Sequence, residues 1–138
     1  MRFIILVKAT KDSEAGVMPP ESLMDEMAAY HEQLAKAGVL VDGAGLQRSA
    51  RGWRIQYSKN GQKSFVDGPF PETKELVAGY TVIKVKSREE AIEWTRRFPN
   101  PSIDGGEAQI EVREYFELED FGDSAAVERH RKIGTIKP

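Results

Sequence analysis

Few side chains in this 138-residue chain can carry proton-transfer or covalent chemistry. Cysteine is absent, which removes thiolate nucleophiles, zinc–thiolate centres and disulfides. The histidines are His31 and His130, far apart in sequence. An imidazole titrates near neutral pH, so it can take or give a proton, and a neighbouring carboxylate can fix its tautomer. His31 falls within a helical pattern, on a flanking stripe with Met24, Ala28 and Ala35, and is expected to face a groove at the edge of the core. The best-placed carboxylate is Asp67, which opens the stretch DGPFPETKEL. Its plainer role is to accept backbone amides two or three residues on and so hold that turn. The two roles are compatible if one oxygen caps and the other faces solvent.

A second group is basic and aromatic. Arg48, Arg51 and Arg54 cluster around Trp53, and Lys74 sits in the loop that contains Phe70. Together they can bind a small anion or a carboxylate ligand, with Trp53, Phe70 and Tyr80 as aromatic walls. The competing reading is structural: Arg54 as the exposed side of a strand, and the aromatics as core or interface. Single-stranded nucleic acid is not expected, because acidic residues are interspersed and the net charge is -2. No metal or cofactor is expected. There is no His-x-x-x-His, no P-loop, no GxGxxG and no serine nucleophile elbow, and DGAGLQ lacks dinucleotide-loop spacing. The N-terminal apolar run is five residues, too short for a signal-peptide core or a membrane span, so a cytoplasmic protein is expected.

These residues must be positioned by one domain's worth of elements. Residues 3–7 form a continuous apolar run, expected as a central strand. Residues 11–19 are expected as a loop. Leu23, Met27, Tyr30, Leu34 and Ala37 recur at helical spacing, with Pro20 suited to the first turn and Gly38 to the end. Residues 39–41 begin a second strand. Trp53, Ile55 and Tyr57 alternate with polar residues and are followed by Asn60-Gly61, which predicts a hairpin through a type I′ turn. Residues 76–85 read as a long strand. Ser87 and Glu90 predict a capping box on a second helix, ended by FPNP. Ala108, Ile110 and Val112 alternate as a last strand, where Glu111 and Arg113 form a charge lattice. Residues 124–131 predict a short tail helix.

Without the hairpin the order is βαββαβ, the ferredoxin-like α+β arrangement: an antiparallel sheet, two helices on one face, and an inserted β-hairpin. The second sheet face is left open, so a homodimer of the dimeric α/β barrel type is expected. The domain is expected to span residues 1–117, with a tail over 118–138.

Four stretches carry a family resemblance: VDGPFPETKELVAGY (66–80), AGVLVDGAGLQ (37–47), SREEAIEW (87–94) and IEVREY (110–115). In that order they resemble the YCII-related family, in its DGPF branch. The resemblance implies a ferredoxin-like domain, usually dimeric, often a companion of extracytoplasmic-function sigma factors. It also implies a cofactor-free acid–base pair, carried here by His31 and Asp67 in a cleft near the dimer interface. Counted back from Gly38, the wider family's helix histidine falls near Met27, one turn before His31. The alternative is a non-catalytic ligand-binding or regulatory module.

Overall fold

A computed structural model describes residues 1–134 as an α+β fold with antiparallel sheets and, among the described residues, four α-helices. The strands are β1 (Arg2–Lys8), β2 (Leu40–Gly45), β3 (Trp53–Tyr57), β4 (Lys63–Asp67), β5 (Val77–Lys84) and β6 (Ile110–Glu114). The helices are α1 (Lys11–Glu14), α2 (Glu21–Lys36), α3 (Arg88–Arg96) and α4 (Ala125–Ile133). The main sheet runs β2-β5-β1-β6, and β3-β4 form a separate two-stranded sheet. No helix among the described residues is long and apolar enough to cross a membrane.

The apolar run of β1 is central because it pairs on both sides, with β5 and β6. Its period of two sends Phe3 and Ile5 to one face, where they meet Ile83 and Val85, Tyr30 and Leu34 of α2, Val39, and Ala91 of α3. Burial of that set from water stabilises the fold. The end of α2 is fixed by Gly38 at φ +74: its amide donates to Ala35 O, and the Val39 amide donates to Leu34 O, each at 3.0 Å. This Schellman closure places buried Val39 beside buried Leu34. Ala37, expected on the apolar stripe, is exposed, because the helix has already turned out of the core at its cap.

Other local expectations need correction. Residues 11–14 form one helical turn, since the Thr10 hydroxyl accepts from the Ser13 amide and the Ser13 hydroxyl accepts from the Thr10 amide. The hairpin turn is not type I′. Five residues separate the strands, the Gly61 amide donates to Ser58 O at 3.1 Å, and Gly61 alone, not Asn60, is left-handed. The α3 box is half formed: Ser87 accepts from the Glu90 amide, but the Glu90 carboxylate reaches back to the Lys86 amide. The tail helix α4 is capped by Ser124 and buries Val127.

Tyr30 ties α2 to α3. Its hydroxyl donates to Trp94 O at 2.7 Å, and its ring meets Trp94 and Phe98 edge-on. Burial pushes its pKa up from 10.0 to about 12. The folded state therefore holds this proton more tightly than the unfolded chain. The corresponding stability is full below pH 10.0 and is lost as pH rises through about 12. Tyr30→Phe is expected to cost about 1 kcal/mol at neutral pH, for the lost hydrogen bond. It should also flatten the decline of urea midpoints across that alkaline window.

Candidate functional site

The stripe of α2 divides lengthwise. One line of residues, Tyr30 and Leu34, presses onto the sheet; a neighbouring line, Leu23, Met27 and His31, four residues apart, faces a cleft. The cleft arises because three positions on the strand surface below, Gly43, Gly45 and Gly79, carry no side chain. Gly43 pairs with Thr81, and Gly45 pairs with Gly79, on the sheet face that carries Ile5 and Val7. A Cβ on Gly45 would meet nothing within 4 Å, and one on Gly43 would come within 3.7 Å of His31 Nε2. The resulting cavity measures about 1130 Å³. Met24 and Met27 of α2 line it, with residues 16–19, after α1, also in the lining.

His31 is the imidazole of this cleft. Its Nδ1 lies 2.7 Å from Met27 O, and Nε2 lies 2.8 Å from Thr81 Oγ1. A carbonyl only accepts, so Nδ1 carries a proton, and in the neutral ring Nε2 accepts from the Thr81 hydroxyl. The backbone thus fixes the tautomer, the task expected of a carboxylate, and leaves the basic nitrogen beside the glycine surface. Thr81 itself is buried.

Arg48 and Arg51 line the cleft's rim. Arg48 Nη1 donates to Ala15 O at 3.3 Å and crosses Gly16, where a Cβ would sit 2.7 Å from that nitrogen. Neither guanidinium forms an ion pair among the described residues. Two unneutralised cations at the mouth of an apolar cavity favour an anionic group there.

The other expected site residues lie elsewhere. Asp67 ends β4 opposite Trp53, in the separate hairpin sheet, and does not line the cleft with His31. Its carboxylate makes no hydrogen bond among the described residues, so it does not cap the turn; the Ser49 hydroxyl does, accepting from the Phe70 amide at 3.0 Å. Glu14 in turn accepts from the Ser49 amide at 2.8 Å and from the Ser49 hydroxyl. The Gly68–Pro69 peptide is cis. Through the hydrogen bonds of Ser49, DGPF is a joint that fastens the hairpin to the loop 49–51 and to α1. Trp53 stacks on Phe65, the Arg54 guanidinium lies 3.7 Å over the Phe70 ring, and Lys74 is exposed in the turn 73–75; none of these residues lines the cleft. Tyr80 borders it, but strand alternation puts its ring on the opposite face. There its hydroxyl donates to Asp42 Oδ2 at 3.3 Å, and that carboxylate raises the phenol's pKa.

Sequence reasoning missed Thr81 and the glycine floor. The signal was present in DGAG: two glycines two apart on a strand bare one face.

Among known proteins, the YCII-related domain matches residues 1–118. An uncharacterized protein from Rhizobium meliloti (strain 1021) is 29% identical over 90 residues, covering 65% of this chain and 72% of that protein. A solved structure, the 5-chloro-2-hydroxyhydroquinone dehydrochlorinase of Burkholderia phenoliruptrix in complex with 2,5-dihydroxybenzoquinone, aligns with a TM-score of 0.46 at 14% identity. That alignment covers 84% of this chain and 94% of that one. The domain match spans most of the sequence, and the chain belongs to the YCII-related family.

Proposed function

We propose that this YCII-related protein is a ferredoxin-like homodimer of the DGPF branch that binds a small, largely apolar anion in the glycine-floored cleft, with His31 as its proton-handling group. The observation that carries the reading is the cavity of about 1130 Å³, in which a tautomer-fixed imidazole lies against bare strand surface. Such a volume suits a small molecule, and its few convergent polar groups would set orientation. Arg48 and Arg51 would hold a carboxylate at the mouth while the methionines accommodate its apolar body. His31 Nε2 would then take a proton from, or return one to, the buried end of the ligand. Asp67 is not needed for this chemistry, because Met27 O already orients the ring. The strand order β2-β5-β1-β6, with α2 and α3 sharing one core, supports the ferredoxin-like arrangement. Ile4, Leu6 and Tyr80 are part-exposed on the other face, which supports a second copy.

The test is an NMR titration of the two imidazoles with a panel of aromatic and alkyl carboxylates. His31 resonances are expected to shift saturably with at least one aromatic carboxylate, while those of His130, on α4 and outside the cleft, stay in place. If no compound moves His31, or if His31 and His130 move together, the reading is wrong.

A further inference from the structure

The hairpin β3-β4 leaves one face with no cover. Residues directly opposite across the pair share a face, so Trp53, Ile55 and Tyr57 lie beside Asp67, Phe65 and Lys63. Trp53 is 62% exposed, Tyr57 69%, Phe65 61% and Ile55 41%. Fully covered aromatic side chains bury roughly 150–250 Å² each, so these four leave roughly 500 Å² open on each copy. A solitary two-stranded hairpin is marginal in water, yet this one carries its largest apolar residues outward. The Trp53 and Phe65 rings stack on this face, with centroids 6.1 Å apart, 20° from parallel.

The charges on this face indicate what covers it. Lys63 lies at one end, opposite Tyr57, and Asp67 at the other, opposite Trp53. Lys63 Nζ lies 5.6 Å from the Tyr57 ring centroid, and neither charged group forms an ion pair among the described residues. They stand four positions apart along β4, roughly 13 Å. A two-fold axis through the Ile55–Phe65 pair would lay the same face of a second copy over the first in reverse direction. Each Lys63 would then meet its partner's Asp67, with the four apolar side chains between. Two copies would cover roughly 1000 Å² by this contact, the scale at which a specific interface begins. The requirement is self-complementarity, which this face meets by itself.

We infer that the hairpin is a dimerisation arm: Trp53, Ile55, Tyr57 and Phe65 pack against the same residues of a second copy of this chain, and Lys63 pairs with Asp67 across the two-fold. This rests on the homodimer reading and names its contact. It gives Asp67 a role outside the cleft, as the negative end of an interface.

Sedimentation velocity on the full chain over a range of concentrations tests it. The wild type is expected to sediment as a dimer. Phe65→Glu should raise the dimer dissociation constant by about a hundredfold, with unchanged far-UV circular dichroism, since Phe65 is exposed within one chain. Lys63→Asp and Asp67→Lys should each weaken the dimer by about tenfold, by bringing like charges together, and the double swap should restore it. A simple packing role for either side chain would not produce that rescue. A dimer that withstands Phe65→Glu and the charge changes but is split by Leu6→Glu, on the open face of the main sheet, overturns the arm and leaves the homodimer standing. A wild type monomeric at all concentrations overturns both.

Discussion

Gly68→Ala is expected to destabilise the fold by about 3 kcal/mol, at the upper end of what overpacking costs, and to lower the melting temperature by about 10 °C. A Cβ at this position would lie 1.8 Å from Ser49 O, 2.7 Å from Ser49 C and 3.1 Å from Gly52 O. All three are backbone atoms, so no rotamer change relieves the clash. The backbone cannot withdraw freely either. The Gly68 amide donates to Gly52 O at 3.0 Å and the Phe70 amide to Ser49 Oγ at 3.0 Å, while Glu14 grips Ser49 from the other side. Relief therefore means parting the hairpin from α1 and losing several hydrogen bonds together. Gly52→Ala is the control within the same joint. Its backbone is extended at φ -121, and its nearest contact would be Ser49 O at an ordinary 3.6 Å. It should shift the melting temperature by no more than about 2 °C. Equal, small effects of the two substitutions would show that the close approach at Gly68 relaxes at little cost, since the chain-entropy effect of Gly→Ala is itself stabilising.

The joint explains why DGPF is both conspicuous in sequence and easily misread. A glycine, a proline and an aspartate announce a turn, and a turn it is. The partner that makes Gly68 obligatory is a carbonyl nineteen residues earlier, and local pattern carries no record of it. The capping role expected of Asp67 fails for a related reason. Aspartate before a turn usually caps it, but Ser49 brings its hydroxyl to the Phe70 amide from outside the local chain and displaces that role. The elements that depend on near neighbours were legible: the β1 run, the α2 stripe ending at Gly38, the hairpin strands, the Ser87 cap and the short tail helix. The pairing of Gly43 with Thr81 and of Gly45 with Gly79 is a matter of register between strands far apart in sequence. His31 was identifiable as a boundary residue by helical spacing, yet its partner Thr81 is 50 residues away. What local reasoning lost was the hollow: a missing side chain is visible in a sequence as glycine, but what faces the gap is not.

The hollow gives the second large effect. Gly45→Leu is expected to abolish carboxylate binding in the cleft, reducing affinity by on the order of a hundredfold, or about 2.7 kcal/mol, without lowering stability. Gly45 has no left-handed backbone requirement, and its Cβ would enter space with no atom within 4 Å. By its pairing with Gly79 that space lies on the helix side of the sheet, where the cavity opens beneath α2. A leucine there would occupy the volume that the ligand's apolar body needs. The fold should tolerate it, because β2 is an edge strand and a strand gains about 0.5–1 kcal/mol when glycine gives way to a residue with a side chain. Neither of the other floor glycines offers so clean a test. A Cβ on Gly79 would lie 3.1 Å from Ala44 O, and one on Gly43 would disturb His31 directly. The readout is the same NMR titration, followed at His31, together with a melting temperature. Loss of the ligand-induced shift at an unchanged or raised melting temperature places the ligand between α2 and the glycine floor. Retention of the shift at wild-type affinity would mean that the ligand reaches His31 by another route and that the bare strand surface is not its seat.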